Sequence, residues 1–299
     1  MEIQTLNELV NIAKEQETKR IAVVAAADRH VLEALKKAIK QKIVDATLVG
    51  DEMAINQIAQ EIDFKLELVK IINVKDAVKA SETAVSLIRE GKADILMKGM
   101  VSTSVLLKAV LDKEKGLRKG GTLSHVSFFE SPNYHKLLCI TDAAMNVSPD
   151  LDDKIAIINN AVEAYHKLGI ELPKVAILGA VEVVNPKMEA TVHAAVITQM
   201  NRRNQIEGCI IDGPLALDNI ISKTTAEHKG IVSEVAGDAD IIVTPDINVG
   251  NVLYKSLNFL GDAISAAVIM GAWVPIVLTS RSDSEKSKLM SIALAAAMK

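Results

Sequence analysis

Short, nearly unbroken apolar runs alternate along this chain with stretches whose apolar residues recur at helical spacing. The runs Arg20–Ala26, Ala46–Gly50, Lys70–Val74, Ala93–Met97, Leu137–Thr141, Lys174–Leu178, Gly208–Asp212, Ile241–Thr244 and Val274–Thr279 predict strands. Most show no polar alternation, as expected of strands covered on both faces of a parallel sheet. Helices are predicted over Val31–Lys42 behind an Asp28 cap, Val78–Glu90, Leu151–Leu168 behind Ser148-Pro149, Lys187–Met200, Val252–Met270 and Glu285–Met298. Strand and helix alternating almost throughout predict a doubly wound α/β architecture.

The most apolar stretch, Ala263–Leu278, reads as a buried helix, a turn at Gly271 and a buried strand. Its 16 residues include Pro275 and fall short of the roughly 20 that a membrane span requires. Gly116–Tyr134 is the longest segment without periodicity, and its Gly120-Gly121 pair suggests a turn or a crossing between domains. A length of 299 residues suits two α/β domains. The amino-terminal segment is charged and amphipathic, without a secretory apolar core.

Composition narrows the field of partners. Hydrophobic residues make up 49% of the chain and aromatics 3%, so a large core must be built from aliphatic side chains. So few aromatics argue against an all-β sandwich and against a stacking platform for nucleic acid. The net charge is −4 and no basic run stands out, which leaves no footprint for nucleic acid. Cys139 and Cys209 each lie inside an apolar run and read as core thiols, compatible with a reducing cytoplasm. There is no GxxxxGK[ST] loop, no GxGxxG after a strand, no HExxH spacing and no GxSxG elbow.

Several predicted strands run into unusual polar chemistry, at the edge where open parallel sheets bind ligands. Met97 leads into Lys98, Ser102 and Thr103; Ile211 into Asp212; Val243 into Asp246 and Asn251; Leu278 into Ser280, Arg281 and Asp283. Ser282 and Glu285 have capping-box spacing, so a helix is expected to start at Ser282. Ser280 and Arg281 would then stand before a helix amino terminus, a suitable seat for phosphate or acyl phosphate. The same residues also suit a plain cap with a solvated arginine. Lys98 with Ser102 and Thr103 suits either a second anion contact or a capped helix. Asp212 and Asp246 suit either ligand contacts or turns.

The segments ADILMKGMVSTS, CITDAAMNVSPD, GCIIDGPLALDN, EVAGDADIIVTPDINVGNVLYKSL and PIVLTSRSDS resemble, in order, the phosphate acetyl/butyryl transferase family. TSRSDS together with DGPLALDN is more similar to the butyryl branch. The resemblance implies two doubly wound α/β/α domains with a cleft between them, like isocitrate and isopropylmalate dehydrogenases. It places residues 1–136 with 272–299 in one domain and 137–271 in the other. It implies phosphate butyryltransferase activity: butyryl-CoA and phosphate giving butyryl phosphate and coenzyme A, reversibly, with no metal and no tightly bound cofactor. A cytoplasmic homodimer or larger homo-oligomer acting in fermentative short-chain fatty acid metabolism, with no nucleic acid and no membrane, completes the expectation.

The same resemblance matches Ser280 and Arg281 to a catalytic pair, Arg281 holding phosphate oxygens and Ser280 stabilising developing charge. Thr103 matches the Ser-Thr opening the helix after the ADILMKG strand, and Asp246 and Asn251 match the P-D-x-N-x-G-N signature. The general-base aspartate of the acetyl branch falls where this chain has Lys286 and Ser287, so Asp283 is the nearby substitute. An arginine of that branch falls near Asn258-Phe259. The expected mechanism is direct transfer in a ternary complex, without an acyl-enzyme. The competing readings are phosphate acetyltransferase, a metal-dependent hydroxyacid dehydrogenase-like protein and a non-catalytic ligand-binding protein.

Overall fold

The computed structural model describes residues 3–278 and 284–298. The chain packs into two units, Leu6–Gly121 with Ala266–Lys299, and Met1–Thr5 with Thr122–Ser265. The change of unit at Gly121 falls on the glycine pair, where Gly120 adopts φ +95°. The other change, at Ser265, precedes the boundary expected at residue 271, and Gly121 precedes the one expected at residue 136.

In the first unit, α1 (Leu6–Glu15) leads to β1 (Lys19–Val24), α2 (Arg29–Lys40), β2 (Val44–Gly50), α3 (Glu52–Glu61), β3 (Lys70–Asn73), α4 (Ala77–Arg89), β4 (Ile95–Lys98) and α5 (Thr103–Val110). Strand order β3-β2-β1-β4 is wholly parallel and reverses direction beside β1, the doubly wound pattern. Asp28 caps α2 as expected, accepting the Val31 N–H at 3.0 Å.

The second unit holds β5 (Ser124–Glu130), β6 (Leu138–Thr141), α6 (Leu151–Lys167), β7 (Lys174–Leu178), α7 (Glu189–Arg202), β8 (Ile210–Leu215), α8 (Leu217–Ile221), α9 (Lys223–His228), β9 (Ile241–Val243) and α10 (Ile247–Phe259). Its order is β5-β6-β9-β7-β8, parallel from β6 to β8, with β5 antiparallel to β6. Beneath α8 and α10 lies an aliphatic core including Leu138, Ile140, Leu178, Leu215, Ile220 and Ile242, with Leu253 and Tyr254 packed on it.

The chain then returns to the first unit through β10 (Ile264–Met270), β11 (Ile276–Val277) and α11 (Glu285–Ala297). β11 lies parallel to β4 and antiparallel to β10. From Ser287 to Ala297 every residue of α11 is buried, and the helix packs on α1 and α2. Its Ala-rich sequence permits that close approach on all sides.

Four expectations are corrected. The helix expected over Val252–Met270 ends at Phe259, and Ile264–Met270 is the strand β10. A fully buried apolar run carries no period that separates the two states. The turn at Gly271 is present, at φ +94°. The aperiodic Gly116–Tyr134 segment contains β5, whose SHVSFF stretch is buried on both faces and so shows no alternation. The cap of α6 is Asp150, in a reciprocal box with Asp153, and Pro149 stays outside the helix. The cap of α11 is Ser284, whose Oγ accepts the Ser287 N–H at 3.1 Å. Glu285 pairs instead with Lys37 at 2.6 Å, and Ser282 lies outside the described residues.

Candidate functional site

In the first unit the carboxyl end of β4 carries the predicted residues Lys98, Ser102 and Thr103. Gly99 turns the chain tightly, its N–H reaching the Val24 carbonyl at 2.8 Å. A Cβ at residue 99 would lie 2.6 Å from that same oxygen, which restricts the position to glycine. The chain then enters α5 behind Ser102, whose Oγ accepts the Val105 N–H at 3.3 Å and lies 3.1 Å from the Ser104 Oγ. Thr103 is the first residue of α5. The Lys98 ammonium reaches over this turn to the Gly99 carbonyl at 3.3 Å. A cation, two hydroxyls and the N–H groups of a helix amino terminus therefore share one sheet edge.

In the second unit the ends of β6 and β9, which are neighbours in the sheet, carry Asp246 and Asn251. Asp246 caps α10, accepting the Asn248 and Val249 N–H groups at 2.8 and 3.1 Å. One turn on, the Asn251 amide donates to the Ala143 carbonyl at 3.2 Å, and Thr244 Oγ1 donates to the Asp142 carbonyl at 3.0 Å. Between them Gly250 lies so close to the Asp142 carbonyl that no side chain fits. The turn after β6 and the turn after β9 are thus locked to each other.

The buried Asp142 carboxylate organises the first of these turns. It accepts the N–H groups of Ala144, Met145 and Asn146 at 2.8, 3.0 and 3.2 Å, and the Asn146 amide at 2.6 Å. The Asn146 amide also holds the Leu123 carbonyl. Sequence reasoning singled out neither Asp142 nor Gly250 as site residues. The Asp142 signal was present: CITDAAMN is a strand end followed by a carboxylate and small residues, the composition of a tight anion-organised turn.

Asp246 and Asn251 are brought together on one turn, and so are Lys98, Ser102 and Thr103. Asp212 is not placed at a strand end. β8 continues through Gly213 and Pro214 to Leu215, leaving Asp212 mid-strand opposite Ala176, with Arg202 of α7 at 3.9 Å. Ser280, Arg281 and Asp283 lie outside the described residues.

Both cysteines are buried. Burial pushes the Cys139 thiol far above its ordinary value and the Cys209 thiol up to about 11, so both are protonated and sterically shielded. Among the described residues no three His, Cys, Asp or Glu side chains are grouped to hold a metal ion. No helix among them is long and apolar enough to cross a membrane.

The family model described as Phosphate acetyl/butaryl transferase matches residues 4–84 and 75–296. The chain belongs to the phosphate acetyl/butyryl transferase family. It is 48% identical to a phosphate butyryltransferase of Clostridium acetobutylicum over 98% of each chain. It is 45% identical to a phosphate acetyltransferase of Thermotoga maritima over 97% of this chain and 98% of that one. The crystal structure of a branched-chain phosphotransacylase from Enterococcus faecalis superposes with a TM-score of 0.83 at 37% identity, covering 94% of this chain and 99% of that one. In this chain the locked β6 and β9 turns carry the DAAMN and PDINVGN segments, and the β4 turn carries KGMVSTS.

Proposed function

We propose that this chain transfers a butyryl group reversibly between coenzyme A and inorganic phosphate. Phosphate oxygen attacks the thioester carbonyl of butyryl-CoA, the carbon–sulfur bond breaks, and butyryl phosphate leaves with free coenzyme A. The observation that carries this reading is the 48% identity, over nearly the whole chain, to a relative named phosphate butyryltransferase. Coenzyme A and phosphate are both substrates in this scheme, and no resident cofactor enters it.

Arg281 holds the phosphate oxygens, Ser280 stabilises charge at the reacting carbonyl or the departing thiolate, and Asp283 takes the thiol proton in the reverse direction. Lys98, Ser102 and Thr103 offer a further anion contact at the β4 turn, while Asp246 and Asn251 shape the β9 turn. Asp212 has the weakest support for substrate contact, because its place in mid-strand gives it a structural occupation beside Arg202. The buried, protonated thiols favour direct transfer over an acyl-cysteine. The reading includes a cytoplasmic homodimer in fermentative short-chain fatty acid metabolism.

A second reading, acetyl transfer, is favoured by the 45% identity to the relative named phosphate acetyltransferase. One methylene in an apolar pocket is worth only about 1–3 kcal/mol. The test is release of free coenzyme A from acetyl-, propionyl-, butyryl- and isobutyryl-CoA, with and without phosphate. Phosphate-dependent release peaking at butyryl-CoA is expected. A peak at acetyl-CoA selects the second reading, and a peak at isobutyryl-CoA would align the chain with the branched-chain phosphotransacylase. No phosphate-dependent release from any of them would overturn the acyltransferase reading.

A further inference from the structure

In the first unit α4 and α5 pack against each other and leave a groove of about 600 Å³ between them. Each helix contributes residues at three- and four-residue spacing, one stripe of its surface. The floor is apolar: Val85 is buried, and Val105 and Ala109 are half-buried. The volume falls within the range of small-molecule sites. From Val78 to Arg89 the α4 axis rises about 16 Å, so the groove suits an elongated occupant.

Both helices follow parallel strands, so their last turns lie at the same end of the groove. Cations collect there. Arg89 stands in the last turn of α4, Lys108 in the last turn of α5, and Lys115 in the loop beyond it. Among the described residues neither the Lys108 nor the Lys115 ammonium is held in an ion pair. Two carboxylates, Glu82 and Asp112, share the lining. Asp112 Oδ1 is already engaged, accepting the Glu114 and Lys115 N–H groups at 2.9 and 2.7 Å. Glu82 lies nearly two turns before Arg89 on α4, away from the basic end.

Arg89 is fixed before any ligand arrives. Its guanidinium donates to the Gly116 carbonyl at 2.8 Å and lies 5.0 Å from the centre of the Trp273 ring. The Trp273 indole N–H is tied in turn to the Arg118 carbonyl at 2.9 Å. The bond to Gly116 uses a single N–H, and the remaining donors of a guanidinium suit phosphate oxygens.

We propose that the α4–α5 groove binds an elongated phosphate ester of nucleotide size, its phosphates between Arg89, Lys108 and Lys115 and its body along Val85, Val105 and Ala109. A free nucleotide and the nucleotide end of coenzyme A both carry that chemistry. The groove starts beyond the Ser102 and Thr103 hydroxyls of the β4 turn, so it is a site apart from that turn.

The test titrates the whole chain with ADP, coenzyme A and inorganic phosphate. Trp273, the single tryptophan, reports through its contact with Arg89, and calorimetry checks each titration. Saturable binding of ADP or coenzyme A is expected where inorganic phosphate gives no response. Binding of ADP alone assigns the site to a free nucleotide, binding of coenzyme A alone to a substrate's nucleotide end, and equal binding to the adenosine diphosphate they share. Lys108→Glu combined with Lys115→Glu is expected to weaken that binding at least about tenfold. Lys113→Glu, on the same exposed loop but outside the lining, should change it less than about twofold. No saturable binding, inorganic phosphate binding as tightly as the nucleotides, equal weakening by Lys113→Glu, or binding that the double variant leaves unchanged would each overturn the proposal. Thermal unfolding checks that the variants fold. Because binding is read without acyl transfer, the result stands or falls separately from the acyltransferase reading.

Discussion

Lys136→Met is expected to loosen the amino-terminal edge of the second unit's sheet by about 3 kcal/mol. Lys136, only 5% exposed, precedes β6 and bridges Asp238 at 2.9 Å and Asp240 at 2.8 Å, the two carboxylates that precede β9. It also donates to the Asp238 carbonyl. Lys174, the first residue of β7, pairs with Asp238 and takes the Asp240 carboxylate on its own N–H. The clamp therefore ties together three adjacent strands. Breaking a buried ion pair by removing one partner costs about 3–5 kcal/mol, because the other charge remains desolvated. The lower end applies here, since Asp238 is partly exposed and retains Lys174 and His135. The Lys136 stem is nearly isosteric with methionine, so little of the loss is packing.

Hydrogen exchange read by mass spectrometry on peptides spanning β6, β7 and β9 checks this locally. A loss of about 3 kcal/mol accelerates exchange through cooperative opening by about a hundredfold. The pH dependence carries a sign. Burial opposes the charge on Asp238 most strongly, but hydrogen bonds from Lys174, Lys136 and His135 outweigh it and hold its carboxyl well below the usual carboxylate range. A depressed carboxylate contributes stability that is fully present above its unfolded value, near about 3.9, and fades as pH falls through its folded value. The gap between wild type and Lys136→Met should therefore narrow below about pH 4. A gap under about 0.5 kcal/mol at neutral pH would refute the buried-pair argument. A gap that stays constant into acid would assign the loss to packing.

The other expectations concern the locked turns and the thiols. Asp142→Asn removes one acceptor oxygen and turns an NH₂ toward N–H donors, so it should cost about 2–3 kcal/mol of stability by urea unfolding and lower activity with it. Gly250→Ala sets a Cβ 2.8 Å from Thr244 Oγ1 and 3.0 Å from the Ala143 Cα, with the Asp142 carbonyl closer still. The two turns must separate, which should abolish most phosphate-dependent coenzyme A release and lower Tm, whereas Gly121→Ala, in open space, should change neither. Cys139 and Cys209 should resist a thiol reagent in the native protein at about pH 8 and react once it is unfolded. Native reactivity that is blocked by acyl-CoA would revive the acyl-enzyme mechanism.

The legibility of this fold follows from where its strands lie. β7, predicted and observed as Lys174–Leu178, is a central strand flanked by turn-forming residues, so composition and length mark both of its ends. β10 and β5 were missed because burial on both faces erases alternation, and nothing local distinguishes such a run from a buried helix. Capping shows the same limit on a smaller scale. Asp28 stands alone before α2 and was legible. Around α6 and α11 several Ser and Asp residues compete, and the winner is the one whose side chain reaches the third N–H once the helix has docked.

The candidate site divides along the same line. Asp246, Asn251, Ser102 and Thr103 sit at the junction of a strand and a helix, where periodicity changes within a few residues, and the sequence shows that change directly. Asp212 misled because Gly213-Pro214 reads as the end of a strand, whereas β8 runs on through it by shifting register against β7. The contact between Gly250 and the Asp142 carbonyl, by contrast, joins residues roughly 110 apart in the chain. Nothing in the residues next to Gly250 announces that contact. Contact across the carboxyl edge of the sheet makes Gly250 irreplaceable. Reading such a position requires the pairing of β6 with β9, because that pairing brings their two turns together.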